Sequence, residues 1–233
     1  MKTIFSFFVL VLSASCAFAG IQVSQRVQVD GSNKMDTVIT TMLEGDKMRV
    51  DMGEETSSII DSKTGDVITL MHSQKMAMTL PKETIDIAKQ SAKAMTGDLG
   101  KKSVSYKKTG QTEKINGFDC EEIIATMTDE NGKEDQSATM WIASNAPLSD
   151  EMKKMFNNIG DQFGGLPSNS EAAIQELNGF PIRMIYKNPD GSITTITTLS
   201  IAEKDIPADS FEVPKSYRGM NLPGKLLEMM KTQ

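Results

Sequence analysis

Residues 38–52, VITTMLEGDKMRVDM, constrain the fold of this chain more than any other stretch. Gly45-Asp46 is a two-residue turn of the kind that closes a β-hairpin, where the backbone must pass through positive φ. Folding about it pairs Glu44 with Lys47, Leu43 with Met48, Thr41 with Val50 and Ile39 with Met52. Side chains alternate across a strand, so Ile39, Thr41, Leu43, Met48, Val50 and Met52 share one face. Thr40, Met42, Glu44, Lys47, Arg49 and Asp51 share the other. An apolar face backed by a mostly charged one predicts an antiparallel sheet with one solvated side. A slip of one residue would exchange the two faces, so the register is strongly specified.

The same grammar runs on. TSSIID, a Lys63–Asp66 turn and VITLMH continue the meander to about Leu80. Pro81 then opens a helix over Lys82 to Met95, with Ile85, Ala88, Ala92 and Met95 at helical spacing. Strands resume near Ser103, pass through INGFDCEEIIATMT, turn at Asn131-Gly132 and return through SATMWIA. A second helix is expected from Ser149 to Phe163, its stripe including Met152, Met155, Phe156 and Ile159. A short helix, Glu171 to Leu177, follows, and a last hairpin turns around Asn188–Gly191. The expected fold class is α+β, mostly antiparallel β: one sheet with helices on a single face.

The first 19 residues read as an export signal rather than as part of this fold. Lys2 is the positive start, Ile4 to Leu12 the short apolar run, and Ala17-Phe18-Ala19 the small-x-small cleavage pattern. One domain over 20–219 and an amphipathic tail over 220–233 complete the expected division. Ser13-Ala14-Ser15-Cys16 loosely resembles a lipobox, the alternative in which Cys16 is lipidated, but Ser13 stands where that motif takes an aliphatic residue. No later stretch approaches the ~20 apolar residues that span a bilayer as a helix. A net charge of −6 without a basic run argues against nucleic acid or an anionic membrane surface as partner. With Cys16 in the signal, Cys120 has no cysteine to pair with, so the fold must rest on its core. That core is methionine-rich: 17 Met stand against 9 Phe, 3 Tyr and 1 Trp. Thioether chains fill irregular gaps and recur on surfaces that accept varied apolar ligands.

Two stretches carry a family resemblance. GQTEKINGFDCEEI, residues 110–123, resembles a stretch that recurs in the bacterial domain of unknown function 4412 family. IPADSFEVPKSY, residues 206–217, resembles the closing segment of the same group. That group is similar to the superfamily of the lipoprotein carrier LolA. The resemblance implies a curved, half-open antiparallel barrel with helices as a lid over an apolar hollow. In the carrier, the hollow takes up acyl chains. This chain lacks the carrier's aromatic-rich lining, and neither Arg26 nor Arg49 can be matched to its functional arginine, so the fold transfers better than the function.

Reactive chemistry is sparse. Asp61, Asp66, Asp129, Glu130 and Asp190 sit in turn or solvent-side positions and form no acid/base pattern. Cys120 has His72 as its only imidazole partner and reads as a small buried hydrophobe. We therefore expect a protein that is not an enzyme and has no cofactor. MHSQKMAM, residues 71–78, leaves two hairpins open. A two- or four-residue loop puts Met71 opposite Met76, with Val67, Thr69, Met78 and Leu80 on their face. A three-residue loop puts His72 opposite Met76, beside Met78. The expected function is binding of an apolar ligand or lipidated protein in a Met-lined hollow. Its candidate residues are Met48, Val50, Met52, Met76, Met78, Met152, Met155, Phe156 and Ile159. The alternatives are a Cu(I) site using His72, Met76 and Met78, because soft thioethers suit that ion, and an interaction module with a filled core.

Overall fold

The computed structural model describes residues 20–31, 34–86, 103–128, 132–148, 179–188 and 190–220. They form one open sheet of 12 strands. The strands are β1 (Gly20–Asp30), β2 (Met35–Glu44), β3 (Lys47–Met52), β4 (Thr56–Asp61), β5 (Val67–Met71) and β6 (Met76–Leu80). The chain continues through β7 (Ser103–Ile115), β8 (Phe118–Thr128), β9 (Glu134–Ala143), β10 (Phe180–Lys187), β11 (Ile193–Lys204) and β12 (Arg218–Met220). Their order across the sheet is β12-β6-β5-β4-β3-β2-β1-β11-β10-β9-β8-β7.

That order is two meanders sharing a centre. The chain winds outward from β1 to β6, crosses to the far edge at β7, and winds back until β11 lies beside β1. Every pairing is antiparallel except that of β12 with β6. The far edge, β7, carries Lys107, Lys108 and Lys114, charges that discourage pairing with another chain.

The β2–β3 register is the one the turn dictates: Ile39 with Met52, Thr41 with Val50, Leu43 with Met48 and Glu44 with Lys47. Gly45 supplies the positive φ, +57°. The β5–β6 hairpin takes the register that puts Met71 opposite Met76, with His72–Lys75 as its four-residue loop.

Both faces of β2–β6 are covered. On the first face, Ile21, Val23, Leu43, Met48, Val50, Ile60 and Val67 join Cys120, Trp141, Phe180 and Ile182 in the main core. On the reverse face, Ile59, Leu70 and Ala77 are buried with Ile206 and Phe211, and Met42 and Tyr217 pack alongside. The expectation of a solvated reverse face is therefore corrected. The segment after β11 folds back over that side, through a 3-10 turn at Ala208–Phe211, and buries it. Strand β9 likewise sends Trp141 and Ala143 to the main core and Ala138, Met140 and Ile142 to a third cluster.

Helices over one face are not borne out by the described residues. Beyond the 3-10 turn, only residues 82–86 are helical there, opened by the carbonyl of Pro81 accepting from the amides of Thr84 and Ile85. Ile85 packs against the main core, so this turn covers its margin and not the face as a whole. The rest of the helix expected to Met95, and those expected over 149–163 and 171–177, lie outside the described residues, as do the signal peptide and Cys16. Met220 closes β12, and the rest of the tail expected over 220–233 lies outside the described residues.

Candidate functional site

Cross-strand partners divide the first face into three transverse rows. Ile21, Leu43, Met48, Ile60, Val67 and Leu80 form an inner row that is wholly apolar. Val23, Thr41, Val50, Ser58, Thr69 and Met78 form the middle row. Gln25, Ile39, Met52, Thr56, Met71 and Met76 form the outer row. Burial falls in the same order. Met48 is 1% exposed and Val50 7%, whereas Met52, Met71, Met76 and Met78 are half-buried. Met220 pairs with Met78 and prolongs the middle row onto β12. Thioethers thus gather at the outer margin of an otherwise filled face.

The reverse face holds a polar network that was not legible in the sequence. The Arg49 guanidinium donates from Nε to Asp51 Oδ1 at 2.7 Å, from Nη2 to Ser57 Oγ at 3.1 Å, and from Nη1 to the carbonyl of Ser210 at 2.9 Å. Ser57, 1% exposed, donates to Asp51 Oδ1 at 2.5 Å and lies 2.6 Å from His72 Nε2. His72 Nδ1 lies 2.6 Å from the Tyr217 hydroxyl, and the two rings meet edge to face. With the Ser57 hydroxyl donating to Asp51, Nε2–H donates to Ser57 and Nδ1 accepts from the Tyr217 hydroxyl. Each side chain named in this network then has a partner, as burial demands. The only signals for this network were that His72 is the chain's one histidine and that Tyr217 closes its terminal motif.

This arrangement separates the residues of the copper alternative. Met76 and Met78 belong to the first face, while the imidazole turns to Ser57 and Tyr217 on the reverse face, and both of its nitrogens have hydroxyl partners. The metal reading draws no support from it. Met152, Met155, Phe156 and Ile159 lie outside the described residues.

Two other features bear on chemistry. A cavity of about 550 Å³ near β7–β9 is lined in part by Lys108, Glu113, Lys114, Asp119, Cys120 and Glu121. Its charges neutralise one another or a neighbour, as Lys108–Glu121, Lys114–Asp119 and Arg183–Glu113 pairs. Burial pushes the Cys120 thiol above its ordinary range, opposite to what a nucleophile requires. The turn carboxylates do structural work: Asp61 accepts from the amides of Lys63 and Thr64, Asp66 from that of Lys82, and Asp190 from Ser192. Among the described residues no helix is long and apolar enough to cross a membrane.

Comparison with known proteins places this geometry in a family. The family model described as "Domain of unknown function (DUF4412)" matches residues 19–217. No curated protein sequence matches. Among solved structures, PNGF-II is similar at 11% identity and a TM-score of 0.40, over 92% of this chain and 33% of its own. The chain thus spans about a third of that protein's length. A LolA superfamily protein from Nitrosomonas europaea is similar at 10% identity and a TM-score of 0.37, over 84% of this chain and 90% of its own. A DUF1329 family protein from Desulfovibrio piger is similar at 12% identity and a TM-score of 0.32, over 84% and 91%. Likenesses at this level carry no functional argument.

Proposed function

The chain belongs to the DUF4412 family, and from that premise we propose that it is an exported, non-enzymatic protein that binds an alkyl chain, free or attached to a lipidated protein. The observation that carries this reading is the gradient of burial on the first face. The inner row is filled core, whereas Met78 at the end of the middle row and Met52, Met71 and Met76 in the outer row present half-buried thioethers. Flexible, polarisable side chains at the edge of an apolar face suit a ligand of variable shape. Met48 and Val50 then act as the floor and not as contacts, because neither has surface to offer. The signal read over residues 1–19 is the reason for assigning export.

A fluorescent fatty-acid analogue tests the reading. It should bind the folded chain at micromolar levels. Met52→Asp and Met78→Asp should each weaken binding about tenfold or more, since a charge at the margin must be desolvated by the alkyl chain. Val213→Asp, an exposed control, should change nothing. No uptake, or equal uptake by all four proteins, would leave the face as a filled core and favour the interaction-module alternative.

A further inference from the structure

The reverse-face network and strand β12 meet at adjacent residues, and we propose that together they form a latched edge gate to the apolar face. This rests on the alkyl-binding reading. Tyr217, the last member of the network, immediately precedes β12. β12 has only three residues, paired in parallel with β6: Arg218 with Met76, Gly219 with Ala77 and Met220 with Met78. One short strand therefore has the latch at its start and, in Met220, a thioether of the first face at its end.

The strand's own pairing is the weak part of this arrangement. Parallel pairing is slightly less stable per residue than antiparallel, and three residues supply few bonds. What fixes β12 lies at its first residue and upstream. The hydroxyl of Tyr217 meets Nδ1 of His72, the amide of Arg218 donates to the carbonyl of Lys75 at 2.9 Å, and Arg49 holds the carbonyl of Ser210. The amide of His72 in turn donates to the carbonyl of Glu55 at 2.9 Å, and its Nε2 lies 2.6 Å from Ser57 Oγ, so backbone and imidazole are both held. Ile206 and Phe211 anchor the start of the strap in the reverse-face core. Between Phe211 and Met220 no residue is fully buried, so apart from the Tyr217 ring, which packs against the reverse-face core, this part depends on polar contacts. Segments held this way open locally at less cost than core strands. Lifting β12 frees the β6 edge and uncovers Met76 and Met78, where an alkyl chain would enter.

Hydrogen exchange on the full chain tests the latch without a ligand. Tyr217→Phe keeps the ring and removes the hydroxyl. Amides of residues 212–220 should then exchange roughly 2- to 10-fold faster, the loss of one hydrogen bond, with β1–β3 unchanged. Probe uptake should accelerate by a similar factor. For the opposite perturbation, Ala77→Cys with Gly219→Cys, in a Cys120→Ser background, ties β12 to β6. A Cβ added at Gly219 meets no atom within 4 Å, that of Ala77 included, so there is room for the new side chain and the bridge closes with a small shift of β12 toward β6. Oxidation should slow uptake, and reduction should restore it. Unchanged exchange in Tyr217→Phe, or equal uptake by the oxidised and reduced pair, overturns the gate while binding itself stands. Should Tyr217→Phe raise exchange everywhere, the oxidised and reduced pair decides. Absence of probe binding in the parent protein overturns the alkyl-binding reading instead, and the gate with it.

Discussion

Leu43 and Met48 face each other across the Gly45-Asp46 turn, and each is 1% exposed. They are the fixed points of the first face. Met48→Ala removes buried volume at a site closed on all sides, so it should cost about 2–5 kcal/mol. Met48→Leu conserves volume and should cost less than about 1.5 kcal/mol. Urea unfolding followed by tryptophan fluorescence of Trp141 measures both. Equal effects would show that the site is loosely packed.

Gly45 tests the turn by itself. Its φ is +57°, and a Cβ placed there meets nothing within 4 Å. The cost of Gly45→Ala should therefore be purely conformational, about 1–2 kcal/mol. Gly45→Asn should cost less, because Asn tolerates the left-handed region. A lower urea midpoint at unchanged slope is the expected result.

Cys120 should behave as an inert thiol. It is 3% exposed, and burial raises its titration. Iodoacetamide at neutral pH should modify the folded protein far more slowly than the protein in urea. Fast labelling of the folded chain would mean that the β8 end opens readily.

Acid stability has a direction that two exposed carboxylates set. The hydrogen bonds from Arg26 hold Asp36 below the ordinary carboxylate range, and those from Ser192 do the same for Asp190. A carboxylate depressed in the folded state contributes stability that is fully present above its unfolded pKa and lost as pH falls through the folded one. Stability should therefore fall at the acid end, and Asp36→Asn should flatten that fall at the expense of the Arg26 pair. Carboxyl NMR titration of the folded chain would show both groups titrating below their unfolded positions.

The sequence by itself determined the register of the β2–β3 hairpin. Gly45-Asp46 and the alternation of Leu43, Thr41 and Ile39 against Met48, Val50 and Met52 leave one arrangement with a consistent apolar face. Both signals act within a few residues, where turn geometry and the period of a strand decide everything. Between His72 and Met76 the same rules left two hairpins, because either kept an apolar face, and tertiary packing chose.

The tertiary structure alone decided what covers the reverse face. Arg49 and Asp51 read as solvent-facing in any local view, yet their side chains are only 18% and 25% exposed. Their cover is the segment at Ser210, 161 residues from Arg49 along the chain. Separation along the chain also hid the role of His72, whose partner Tyr217 stands 145 residues away. Alternation tells which residues share a face, but not which remote segment pays the entropy of folding back upon it. That choice depends on the fit of Ile206 and Phe211 against Ile59, Leu70 and Ala77, a contact between segments far apart along the chain.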